Sequence, residues 1–179
     1  MKNLSEITEK AIQHLQKYSN SLTSYSDEAF AFKAEENVWS LGQMYEHLLT
    51  STEFFIAQIR GCLKEKKGSF EGEKTPIGEQ IIAFGSFPPM EIKVPEKYRT
   101  AGEPIAQSRK IYQERFQQLI QELPVLQKEI EAQPTHYKRL HAIFGMITAP
   151  EWLWCIEAHL RHHFRQQEKL EKLAIEQNQ

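Results

Sequence analysis

The sequence predicts an all-α fold, four helices with one long crossover between the second and the third. Three observations carry this. Apolar residues recur at the three- and four-residue spacing of a helix face in four segments, two of those segments open on capping-box spacings, and a stretch of about thirty-five residues in the middle of the chain is crowded with glycine and proline. Alternating patterns that would mark strands are few, and no internal repeat is present. With 179 residues, 40% of them hydrophobic, the chain can bury one core, so residues 1–179 are read as a single domain.

The first helix is read through Leu4, Ile7, Ala11, Leu15 and Tyr18, ending in the polar cluster 19–26. The second opens at VWSLGQMYEHLL. There Ser40 and Gln43 stand three apart, so each side chain can bond the other's backbone N–H, and Trp39 and Met44 are placed to staple across the cap. Its core stripe is Leu41, Leu48, Phe55, Ile59 and Cys62. Between Gly68 and Gly102 the chain also carries Gly72, Pro76, Gly78, Gly85, Pro88, Pro89 and Pro95, a density that a long helix or central strand does not tolerate; IGEQIIAF is the one short helix this stretch can hold. So long a connection leaves the helices it joins free not to be antiparallel neighbours.

The third helix is expected to start near Glu103 and Pro104, to present Ile105, Tyr112, Phe116, Leu119 and Leu123, and to kink or restart at Pro124. PTHYKRLHAIFGMI reads as a loop closing one end of the core. Thr148 and Glu151 again have capping-box spacing, with Pro150 in the first turn, and the fourth helix is expected to run to about Ala174.

Composition narrows the function classes. The 22 basic and 24 acidic residues leave a net charge of −2, which argues against a nucleic-acid or anionic-membrane partner; Lys64, Lys66 and Lys67 read as a solvated helix end. The N-terminal MKNLSEITEKAIQHL is charged where a secretory signal needs an apolar run, and no later run reaches membrane-spanning length, so a cytoplasmic protein is expected. Cys62 and Cys155 lie far apart within apolar patterns and read as small core residues.

The chemistry lies in EAHLRHHFRQQ. In steps of four and three, one seam of the last helix reads Trp152, Ile156, His159, His163, Gln166, Leu170 and Leu173. Apolar residues above and below fix its orientation, so the polar layers cannot turn to water. A buried neutral imidazole needs partners for both nitrogens, and an unpaired one costs about 1–3 kcal/mol. Residues four apart share a helix face, so His159 and His163 can offer nitrogens to one ion at about 2 Å. His47 is the third candidate, because it lies beside the second helix's stripe in line with Met44, Ser51 and Phe54. Three imidazoles would leave coordination open for water or substrate, as in a catalytic site.

Such a histidine pair also occurs on surfaces and as a hydrogen-bonded core pair; the capped helix and the three successive polar layers favour the metal. His162 falls off the seam, and His14, His136 and His141 read as capping, loop or packing residues. A Cys155, His159, His163 stripe is geometrically possible, but the aromatic neighbours of Cys155 suit ordinary packing. HExxH and Glu-x-x-His are absent, as are a phosphate loop and a nucleophile elbow.

VWSLGQMYEHL and HLRHHFRQQ resemble the two signature segments of the DinB-like superfamily of metal-binding bundles, which is unrelated to the DNA polymerase of that name. The resemblance covers most of the chain, including the tryptophan-led entry to the second helix, the crossover with its PPM stretch and the FGMIT loop. It implies a four-helix bundle in up-down-down-up order, a homodimer, and a divalent ion such as zinc or nickel held by His47, His159 and His163. Gln166 falls where the family tends to place a glutamine, which implies a supporting or packing role. Some relatives are S-transferases or isomerases that use low-molecular-weight thiols. The function so implied is a metal-dependent thiol transferase or hydrolase acting on an electrophilic small molecule. Two alternatives stand beside it: a non-catalytic metal- or ligand-binding bundle, and a metal-free bundle with hydrogen-bonded histidines. No protein base is assigned, since Glu46 and Glu157 point around their helices away from the histidines.

Overall fold

Side-chain caps set the starts of four of the six helices among the described residues. The computed structural model describes residues 3–87 and 102–176, and the PPM stretch and Pro95 lie outside them. Asn3 Oδ1 accepts the Ser5 N–H at the start of α1 (Leu4–Leu22), whose face Ile7, Ala11, Leu15, Tyr18 and Leu22 is buried. Ser26 caps a five-residue helix, α2 (Asp27–Ala31), which buries Phe30. At the start of α3 (Leu41–Leu63) the capping box forms: Ser40 Oγ accepts the Gln43 N–H at 3.1 Å and Gln43 Oε1 accepts the Ser40 N–H at 3.0 Å. Thr75 caps α4 (Pro76–Phe84), and Gly85 ends it at φ 77°, a left-handed conformation that suits glycine. Then follow α5 (Arg109–Ala132), the strands β1 (Lys138–His141) and β2 (Gly145–Thr148), and α6 (Ala149–Glu176). The described residues are thus mostly helical, with six helices and one small sheet.

The four long helices pack pairwise, α3 on α6, α6 on α1, α1 on α5 and α5 on α3. His47 lies against His159 and His163 while Phe55 lies against Trp152, so α3 and α6 run in opposite directions. Tyr112 reaches Gly42 and Glu122 reaches Arg60, so α5 runs with α3. His14 meets Glu157 and Tyr18 meets Leu160, so α1 runs with α6.

Three fully buried tyrosines tie these helices together. Tyr18 donates to the Leu160 carbonyl at 2.8 Å, Tyr45 to the Tyr18 carbonyl at 3.0 Å and Tyr112 to the Gly42 carbonyl at 3.2 Å. Each ring buries a large apolar area while its hydroxyl is paired, which avoids the roughly 1–3 kcal/mol cost of an orphaned buried donor.

Four sequence expectations need correction. The third helix starts at Arg109, not near Glu103: Glu103 accepts from Lys33 and Gln43, and the Pro104 carbonyl accepts from Gln43, so this segment straps the start of α3, with Ile105 exposed. The helix does not restart at Pro124 but runs on to Ala132, because Leu123, Leu126 and Ile130 carry its buried face past the proline. The stretch read as a loop before the last helix is a β-hairpin, with Lys138 opposite Thr148 and His141 opposite Gly145. Gly145, at φ 77°, has no room for a Cβ, which would stand 2.7 Å from the Glu73 carbonyl oxygen. The polar cluster after α1 holds the cap of α2, a helix too short to show periodicity.

The start of α6 shows half of the expected box. Glu151 Oε2 reaches back to accept both the Thr148 N–H and its hydroxyl, each at 2.8 Å. No helix among the described residues is long and apolar enough to cross a membrane.

Candidate metal centre

His47 sits two turns into α3, behind the Ser40 cap, and His159 and His163 sit one turn apart on α6. Because α3 and α6 pack face to face, the three rings meet: His47 Nε2 and His163 Nε2 each lie 3.1 Å from His159 Nε2. The candidate ligand atoms all lie within 4.8 Å of one another, and no other described histidine, cysteine, aspartate or glutamate belongs to the group. Two nitrogens on a tetrahedral ion at about 2.0–2.1 Å stand about 3.3 Å apart, close to what the rings present.

Hydrogen bonding alone satisfies this cluster poorly. Gln166 Oε1 lies 2.6 Å from His163 Nδ1, and an amide oxygen only accepts, so Nδ1 carries the proton and Nε2 presents its lone pair to the centre. His159 Nε2 faces two nitrogens but can carry only one proton. Its Nδ1 is buried without a partner. A cation facing the three Nε2 lone pairs would engage all three at once, with the proton of His159 left on Nδ1, so the donor set fits a divalent ion.

Electrostatics agree. Burial holds the His47 imidazolium down to a pKa of about 4. Burial, with His47 adding to it, holds His163 down to about 3. His159 is pushed well below the ordinary value by burial and then by His163 and His47. All three are therefore neutral at pH 7, the state in which imidazole binds metal.

The walls are aromatic. Trp39 packs on His47 with ring centroids 5.3 Å apart, and Phe55 meets His159 edge-on at 5.6 Å. Trp39 reads in sequence as a staple residue and Phe55 as core, and no local pattern marks either as a neighbour of the histidines. His162 lies off the cluster between the rings of His163 and Phe87. His14 bonds Glu157, His136 is exposed, and His141 Nδ1 accepts the N–H groups of Ile143 and Phe144 in the hairpin turn. Cys155 is a free, buried thiol whose pKa burial raises far above the ordinary value, and it is not part of the cluster.

The neighbouring carboxylates are engaged elsewhere. Glu46 pairs with Arg115 at 2.9 Å and Glu157 with Arg161 at 2.7 Å. Burial alone would raise Glu157, but hydrogen bonds from His14 and Arg161 outweigh it and hold its pKa down to about 2.

The family model of the DinB superfamily matches residues 9–167. The chain belongs to the DinB superfamily. In this DinB-superfamily protein the matched region takes in all three clustered histidines and Gln166. No curated protein and no solved structure matches the chain.

Proposed function

We propose that this DinB-superfamily protein is a metal-dependent thiol transferase, with His47, His159 and His163 holding a divalent ion, zinc or nickel. The convergence of three neutral Nε2 atoms carries the reading. With three imidazole ligands, a bound ion keeps coordination open and lowers the pKa of a thiol that reaches it. The protein's own part is to hold the three lone pairs on one point, to fix the His163 tautomer through Gln166, and to restrict water with Trp39 and Phe55. Neither Glu46 nor Glu157 is free to act as a base, which suits a cosubstrate that brings its own nucleophile, a low-molecular-weight thiol, to an electrophilic small molecule.

The pairwise directions of the long helices support an up-down-down-up bundle. The family resemblance supports a homodimer. The test is turnover of monochlorobimane with a panel of small thiols by zinc- and nickel-loaded protein. Thiol-dependent turnover that is lost in His163→Ala is expected; turnover unchanged by that substitution contradicts the mechanism. Tight metal binding with no turnover for any thiol would favour a non-catalytic metal-binding module.

A further inference from the structure

A second constellation lies at the C-terminal end of α3, away from the histidines. A cavity of about 620 Å³ opens between the last turns of α3, the turn after it, β1 and α5. That is within the size range of small-molecule sites. Its walls carry Arg60, Lys64, Lys66, Lys67 and Arg139 against two carboxylates, Glu53 and Glu122. Both carboxylates are already paired, Glu53 with Arg115 at 2.8 Å and Glu122 with Arg60 at 2.7 Å. Among the described residues, no carboxylate pairs with Lys64, Lys66, Lys67 or Arg139.

Lysines at a helix end read in sequence as a solvated terminus, where they complement the helix dipole. Three features go beyond that. Glu65 and Lys67 both adopt left-handed backbone, φ 51° and 55°, which is unfavourable for residues other than glycine and clusters at functional sites. Arg139 comes from a different element and lies flat on α3 at Gly61, where a Cβ would stand 1.8 Å from Nη1. The turn and β1 are also bonded directly, Ser69 N to the Lys138 carbonyl at 3.0 Å and Lys138 N to the Ser69 carbonyl at 2.8 Å. Backbone on both walls therefore holds the cations around one space.

We propose that this cavity binds a phosphorylated small molecule through Lys64, Lys66, Lys67 and Arg139, independently of the metal centre. Arg139 offers a planar fork that matches phosphate oxygens, the lysines act as point charges, and Ile56 and Ala57 give the non-ionic part an apolar floor. The negative end of α3 opposes an anion with about half a charge, far less than the four unpaired cations supply.

Calorimetric titration of metal-free protein with inorganic pyrophosphate and with ADP tests this. Wild type and His163→Ala should bind at least one probe saturably, with equal Kd values below about 1 mM. Arg139→Met should weaken binding about tenfold, the loss expected of a charge-assisted phosphate contact. Lys67→Gly, which removes a charge and relieves the left-handed backbone, should weaken binding severalfold while melting no lower than wild type. If Arg139→Met does not fold, Lys66→Ala combined with Lys67→Gly carries the same reading. No saturable binding of either probe, binding that disappears in His163→Ala, or affinity untouched by the cavity substitutions would overturn the proposal.

Discussion

Gln166 is hydrogen bonded to His163, its amide oxygen 2.6 Å from the ring Nδ1. The two residues lie three apart on α6 and so share a face of the helix. The bond leaves His163 a single tautomer, with its Nε2 lone pair aimed at His159 and His47. It also raises the basicity of that lone pair, as an acceptor behind a metal-binding histidine does.

Replacing Gln166 by Leu should therefore weaken zinc binding by about 10–100-fold while leaving the fold intact. Competition with a chromophoric chelator measures it. An affinity equal to wild type would mean that the bond has no part in metal binding.

Acid should destabilise the metal-free protein in a defined window. Burial lowers the pKa of His141 to about 4, against 6.5 for an ordinary histidine. Between those values the unfolded chain binds more protons than the folded one, so stability is complete above pH 6.5 and falls as the pH drops toward 4. His47 and His163 shift in the same direction for the same first cause. His141 alone should cost about 2 kcal/mol by pH 5. Urea unfolding at pH 7 and pH 5 reads this, and equal stability at the two values would contradict it.

Pro124 interrupts the hydrogen-bond ladder of a helix that nevertheless continues to Ala132. It leaves the Ile120 carbonyl without its helical donor, so Pro124→Ala should stabilise the protein by about 1–3 kcal/mol in urea unfolding. A loss of stability would show that the ring's packing outweighs the missing bond.

What the sequence makes legible follows from local physics. The box at Ser40 and Gln43, the buried stripes of α1 and α3, and the shared face of His159 and His163 depend on spacing within one helix, and the structure contains each of them. The hairpin leaves no sequence signal, because β1 and β2 are four residues each and β1 has no buried side to give an alternating pattern. The start of α5 is not legible locally, because Pro104 suits a first helical turn, whereas the bonds from Lys33 and Gln43 that draw this segment over α3 come from about sixty to seventy residues away. In the same way Trp39 and Phe55 line the centre only once α3 and α6 are packed.

X-ray absorption at the zinc edge of protein loaded with one equivalent of zinc reads the ligand set itself. Three imidazole nitrogens from His47, His159 and His163 predict a first shell of nitrogen and oxygen only, at about 2.0–2.1 Å, that loses imidazole scattering in His47→Ala. A sulfur neighbour at about 2.3 Å, which would bring Cys155 into the shell, or a spectrum unchanged by His47→Ala, would contradict it.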